Sequence, residues 1–349
     1  MVSALDFAAL ARERIHPHSW DFLEGGSGSE LTVGANRQIF DNAQLRPRVL
    51  IDVSICDTST TLLGASVSSP IAVAPIAYHR MAHDEGEIAT ARGLSGSLMT
   101  VSFFASQALD EIAAAATGPL WLQMYWLQRR DVLAGLAKQA QDLGYQALML
   151  TVDAPRIGRR LRDMRNGFGV PSHIRAVNVD PELMAASYQA NGIAEHAALT
   201  FDQTVTWADL AWLKGRTELP LVLKGVLTGE DAALAVEHGV DAIVVSNHGG
   251  RQLDGAVPSL RALPEVVSAV GGRCPVFFDG GVRSGRDAFI ALALGASAVF
   301  VGRPAMWALA AAGERGVADL LALLRDELEH VMALTGRPTL SRVDRTALV

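Results

Sequence analysis

His248, Gly249, Gly250, Arg251 and Asp254 stand close together in "VVSNHGGRQLD" (244–254), directly after an apolar run of β type. Histidine changes charge near neutral pH and can serve as a general base. A guanidinium three residues further on can hold a carboxylate through two parallel hydrogen bonds. A carboxylate such as Asp153 could orient the imidazole and raise its basicity. The glycines between them would let substrate and cofactor approach the backbone closely. A lone histidine is more often structural, but His16, His18, His173 and His330 lie in loops or helices and lack this setting.

Further charged groups stand where they could act with this cluster. "PRIGRRLRDMR" carries Arg156, Arg159, Arg160, Arg162 and Arg165. Arg160 with Arg251 could clamp a carboxylate from two sides, although position alone does not single out Arg160. Most of these arginines are expected to be solvated and paired with Asp163 and nearby glutamates. Lys224 ends the apolar run "VLKG", where it could form a Schiff base or stabilise an anion on a cofactor. "DGGVRSG" and "VGRP" offer backbone N–H groups at Gly280, Gly281 and Gly302, plus Arg283 and Arg303. Tight turns would explain the glycines alone; glycines with arginines point to a phosphorylated ligand.

These residues share a position along the chain's repeating elements. Eight short apolar runs recur: 70–76, 98–103, 120–126, 147–153, 221–226, 242–248, 275–281 and 298–304. Continuous apolar runs suit parallel strands covered on both faces. Between them lie amphipathic stretches such as "RDVLAGLAKQAQDLG", "GEDAALAVEHG" and "SGRDAFIALALG". This alternation predicts a (β/α)8 TIM barrel in preference to an open doubly wound sheet. Such barrels carry their chemistry at the C-terminal strand ends. Those ends hold Gln123 and Tyr125, Thr151 and Asp153, Lys224, Ser246 with Asn247 and His248, Asp279 with its glycines, and Gly302 with Arg303. Polar residues at so many equivalent ends would be costly in an ordinary core.

The expected organisation is one domain over 1–349. Residues 1–65 form an N-terminal extension, read as helices capping the base or one side, and 66–349 form the barrel. The long gap after the fourth strand reads as a lid or a disordered loop. "GVADLLALLRDELEHVMALTG" reads as a packing helix. The net charge of −7 argues against a nucleic-acid partner. Cys56 and Cys274 read as reduced core residues. No segment resembles a signal peptide or approaches the roughly 18 apolar residues of a membrane span. A soluble cytoplasmic protein is the expectation.

"LRPRVL", "LTVDAPRIGRRLRDMRNGF", "LKGVLTGEDA", "SNHGGRQLD" and "FDGGVRSGRDAFIALALGA", five motifs in the family's order along the chain, together resemble the FMN-dependent α-hydroxy acid oxidase and dehydrogenase family over about residues 5–345. The resemblance implies FMN at the barrel mouth, His248 as base, Asp153 as its partner, and Tyr125 bonding the substrate. It makes Arg160 and Arg251 the carboxylate-binding pair and favours flavin stabilisation over a Schiff base for Lys224. Ala77, Ser102, Gln123, Thr151 and Ser246 match flavin contacts; Asp279, Gly281, Arg283, Gly302 and Arg303 match the ribityl and phosphate site. With no haem domain or membrane-anchor face expected, molecular oxygen, giving hydrogen peroxide, is the implied acceptor. Tetramers or octamers are implied too.

Departures from the family pattern bear on the substrate. "WDFL" replaces "YDYY", placing Phe22 where short-chain oxidases have a substrate-contacting tyrosine. Phe104 stands where glycolate oxidases have tryptophan, and "APIAYHRMAH" resembles the "APVAYH" of 4-hydroxymandelate oxidases. A lost hydroxyl and added apolar surface suggest an aromatic 2-hydroxy acid of the mandelate type. Lactate or glycolate is the alternative. A non-redox FMN barrel would not need two clamping arginines, and a barrel that only binds would be expected to have lost part of the His, Asp and Arg set.

Overall fold

Each of the eight apolar runs folds as a strand, and the strands close into a ring in chain order. The computed structural model describes residues 1–179 and 200–349. Three helices come first, α1 (Ala4–Arg14), α2 (Pro17–Glu24) and α3 (Leu31–Asp41), then a hairpin of β1 (Thr60–Leu62) and β2 (Ala65–Val67). The barrel strands are β3 (Ile71–Val73), β4 (Met99–Val101), β5 (Leu120–Tyr125), β6 (Leu148–Thr151), β7 (Leu221–Val226), β8 (Ala242–Val245), β9 (Val276–Asp279) and β10 (Ala298–Val301). Neighbouring strands are parallel, and β10 pairs with both β9 and β3. The described helices after the strands are α4 (Gly86–Arg92), α5 (Leu109–Ala115), α6 (Arg130–Asp142), α7 (Leu161–Asn166), α8 (Leu210–Lys214), α9 (Gly229–Glu237), α10 (Ser259–Val270), α11 (Gly285–Ala293) and α12 (Arg303–Leu334).

The period of two along a strand sorts each strand's residues between barrel interior and helix layer. Interior positions begin apolar. Ala72, Leu98, Trp121, Met149, Val222, Val244 and Phe277 form one buried cluster with Leu62 and Val67 of the hairpin. One or two interior positions further along, the same strands present Ser102, Gln123, Thr151, Lys224, Ser246 and Asp279. The interior therefore runs from apolar base to polar mouth.

The N-terminal extension divides its work differently from the helical cap that its sequence suggested. The hairpin plugs the base: Leu62, Ala65 and Val67 are buried while Thr61 and Ser66 face outward. Its two-residue turn has positive φ at Leu63 and Gly64, the form that matches strand twist. Helices α2 and α3 instead reach the mouth, where Asp254 caps the start of α3 by accepting from Ser29 N (2.7 Å) and Thr32 N (3.1 Å). Helix α12 contains the expected packing helix and breaks at Ala312 and Gly313. Arg14 of α1 donates to Ala310 O and Ala311 O, carbonyls that this break releases.

The long β6–β7 connection contains α7 and α8. The centre of the expected lid, 180–199, lies outside the described residues. Its flanks are packed: Phe168 stacks on Phe22 at 4.7 Å, and Phe201 stacks on Tyr125 at 4.4 Å. No described helix is long and apolar enough to cross a membrane.

Candidate active site

One cavity at the C-terminal mouth is lined by the expected site residues, apart from Asp153 and Ser246. Those two stand directly behind it, Asp153 on His248 and Ser246 on Lys224. His248 has φ 58°, followed by Gly249 at 65° and Gly250 at 77°. A histidine in this left-handed region is strained, and its surroundings must hold it there. Asn247 does so by accepting from Gly250 N (3.2 Å) while exchanging two 2.8 Å amide bonds with Asn36 of α3. Gly250 proves to serve helix packing, since a Cβ there would lie 2.7 Å from Val33 N. Of the two glycines expected to admit a ligand, only Gly249 lines the cavity.

The His248 ring is bonded through Nδ1 to Asp153 Oδ1 at 2.9 Å, across two strands. Burial lowers the His248 pKa, and Asp153 only partly opposes this. Burial also works against the charged form of Asp153, but His248 and Lys224 outweigh it and hold the carboxyl below its ordinary value. Asp153 is therefore an acceptor at neutral pH, the shared proton sits on Nδ1, and Nε2 keeps its lone pair.

Arg160, the residue before α7, is 9% exposed, and its Nε has no hydrogen-bond partner among the described residues. Arg251 donates through Nη1 to Phe22 O and Gly25 O, both at 2.7 Å. The two guanidinium carbons lie 5.3 and 5.0 Å from the centre of the Phe22 ring. Burial lowers the pKa of both, and for Arg251 the nearby Arg160 charge adds to the effect. Neither forms an ion pair among the described residues, so together they suit an incoming carboxylate. Arg162 pairs instead with Glu30 at 2.6 Å, as expected of most arginines in this run.

Tyr125 ends β5, and burial followed by the Asp153 charge pushes its phenol pKa up, leaving it a proton donor. Phe104 lies 5.7 Å from it, and Tyr78, at φ 57°, lies 5.9 Å from Phe104. Tyr78, Phe168 and Phe201 were missed in the sequence. Tyr78 carries no periodic signal, and the other two belong to the irregular connection after β6.

The opposite side of the cavity is polar. Lys224 Nζ bonds Ser246 Oγ at 2.9 Å and Asp279 Oδ2 at 3.1 Å. Gln123 donates to Thr151 Oγ1 (3.0 Å) and accepts from Phe103 N (3.1 Å), while Ser102 Oγ accepts from Phe104 N. Asp279 Oδ1 is buried without a partner among the described residues, as suits an acceptor awaiting a hydroxyl. Arg283 and Arg303 have no ion-pair partner there either; burial, then the Arg303 charge, pushes the Arg283 pKa down to about 9. Helix α12 starts at Arg303, and a Cβ on Gly302 would meet only Ile76 Cδ1, at 4.0 Å. Two undercompensated cations, a helix N-terminus, open space and an unpaired acceptor fit a phosphorylated polyol such as FMN.

The model of the FMN-dependent dehydrogenase family matches residues 11–349. Glycolate oxidase 3 of Arabidopsis thaliana is 45% identical over 99% of this chain and 95% of its own length. The glycolate oxidase of Spinacia oleracea is 44% identical over 98% of this chain and 94% of its own. A solved structure of mandelate oxidase with (S)-4-hydroxymandelic acid superposes with a TM-score of 0.95 at 44% identity, covering 100% of this chain and 98% of that one. The cavity that the residues build and these likenesses agree: the chain belongs to the FMN-dependent dehydrogenase family, among its 2-hydroxy acid oxidases, and its cofactor is FMN.

Proposed function

We propose that the protein oxidises an aromatic (S)-2-hydroxy acid, of the mandelate or 4-hydroxymandelate type, to the 2-oxo acid while O2 is reduced to H2O2. The observation that carries the aromatic reading is the apolar wall of Phe22, Tyr78 and Phe104 on the cavity. A ring-bearing substrate would cover that surface, which a two-carbon acid leaves bare. Similarity to a mandelate oxidase supports this choice. A small aliphatic acid is the second reading, favoured by the glycolate oxidases.

Arg160 and Arg251 bind the substrate carboxylate, and Tyr125 donates to its oxygen. The unprotonated Nε2 of His248 takes a proton, from the hydroxyl or from the α-carbon, as the substrate loses two electrons. Asp153 fixes the ring and stabilises the imidazolium that results. FMN, when bound, supplies the two-electron acceptor. Ala77, Ser102, Gln123, Thr151, Lys224 and Ser246 would hold its ring, and Asp279, Gly281, Arg283, Gly302 and Arg303 its polyol and phosphate.

Anaerobic mixing of the holoenzyme with (S)-mandelate, glycolate or L-lactate, followed by air, tests this reading. Bleaching of the flavin by mandelate at the lowest concentration, with recolouring and peroxide on aeration, is expected. Efficient bleaching only by glycolate or lactate would overturn the aromatic reading.

A further inference from the structure

Helix α2 ends on backbone carbonyls that two half-buried arginines, Arg251 and Arg303, share. Arg251 donates through Nη1 to the carbonyls of Phe22 (2.7 Å), Leu23 (3.3 Å) and Gly25 (2.7 Å). Arg303 donates through Nε to Glu24 O (3.1 Å) and through Nη2 to the same Gly25 O (3.2 Å). Its remaining nitrogen, Nη1, donates to Gly249 O at 3.1 Å, the residue after His248. The C-terminal end of a helix is partly negative and here offsets a fraction of the charge on both arginines, leaving them without a carboxylate partner among the described residues. A Cβ on Gly25 would lie 2.6 Å from Asp21 O, and one on Gly26 2.8 Å from Gly250 O, so this turn has little room to move.

We propose that Arg303 is a positioning residue for the substrate clamp as well as an arm of the phosphate site: by fixing the Gly25 and Gly249 carbonyls it couples anion binding at α12 to carboxylate binding at Arg251. Arg283 provides the contrast. It faces the same end of the cavity, but its guanidinium donates to Val282 O (2.8 Å) and lies over the Trp307 ring, with no bond to the α2 carbonyls. The two arginines should therefore differ in their effect on substrate binding, although both would contact FMN. The inference rests on the clamp role given to Arg251 above, and not on the substrate being aromatic.

Oxalate, a carboxylate without a ring, is the probe, titrated into holoenzyme at saturating FMN and read by the flavin absorbance change. Arg303→Lys keeps the charge but loses the fork that reaches Glu24 O, Gly25 O and Gly249 O together. It should raise the oxalate Kd by roughly five- to twentyfold, within the usual range of coupling between sites. Arg283→Lys should lower FMN affinity yet leave the oxalate Kd within about twofold. By reciprocity, oxalate should tighten FMN binding, read as a lower FMN Kd, in wild type and in Arg283→Lys, and do so much less in Arg303→Lys. Equal weakening of oxalate in both lysine variants, or none in Arg303→Lys, would overturn the coupling. An Arg251→Lys enzyme that bound oxalate like wild type would remove the clamp role itself. The aromatic reading stands or falls separately, on mandelate.

Discussion

The two ends of the barrel are built by the same strands, only a few residues apart, and do opposite things. On β5 the interior passes from Trp121 at the base through Gln123 to Tyr125; on β7 it passes from Val222 to Lys224, and on β9 from Phe277 to Asp279. The base is apolar, sealed by Leu62 and Val67 of the hairpin, and its cost and benefit are those of any packed core. The mouth holds Arg160, Arg251, Arg283 and Arg303 without carboxylate partners among the described residues, an arrangement that helps folding little and suits the anion-binding role proposed for it. A closed parallel barrel separates stability from chemistry along its axis, so that each can be perturbed alone.

The largest separation is expected for His248→Ala. It removes the proposed base while the flavin pocket stays lined, so the bound flavin spectrum should be unchanged. Its anaerobic reduction by substrate should slow by roughly a thousandfold or more. Near wild-type reduction would show that the mouth does not act through this imidazole. The converse test is Leu98→Ala at the base, a fully buried side chain. It should cost about 3 kcal/mol of stability, seen as a lower Tm or denaturant midpoint, with turnover per bound flavin nearly unchanged. A large fall in turnover without loss of stability would erase the distinction between the two ends.

Asp153→Asn reaches the mouth less severely. In the proposed mechanism the wild-type base is neutral imidazole, and burial holds the His248 pKa below its ordinary value. Consequently kcat/KM should fall only as pH drops through that lowered value, about tenfold per pH unit below it. Removing the carboxylate removes an influence that raises the pKa, so the acid limb should move to still lower pH. The plateau should drop about a hundredfold, or about 2.7 kcal/mol, because the imidazolium loses its counter-charge. A limb that moved to higher pH would contradict the pairing at 2.9 Å.

The strands and their polar ends were legible because both follow from local pattern. Continuous apolar runs bounded by turn residues announce buried strands, and a lysine or aspartate terminating such a run is conspicuous. His248 and Asp153 could be paired from strand order alone. The hairpin was not legible, since three-residue strands give too short a period to read beside a helical extension. Nor was the role of Asp254 or Asn36, whose partners lie more than 200 residues away and depend on how α3 docks. Arg160 could be singled out only by resemblance, because what distinguishes it from Arg156 or Arg162 is burial beside Phe22, a tertiary fact. Gly250 was read for a ligand because a glycine's tolerance of close approach does not reveal what approaches.

Phe22→Tyr should have the smallest effect and the sharpest bearing on substrate. Its ring lies near both clamp guanidiniums and stacks on Phe168, so a phenol keeps the faces that these contacts use. Folding and flavin binding should therefore survive. The added hydroxyl places a polar group on an apolar wall, which a small hydroxy acid can hydrate or bond and an aromatic ring would press against. Mandelate kcat/KM should fall by less than about tenfold, roughly 1 kcal/mol, while that for glycolate stays level or rises. A loss shared equally by both acids would mean that Phe22 acts mainly by holding the two arginines, and that substrate size is set elsewhere on the wall, with Tyr78 and Phe104 the remaining aromatic side chains there.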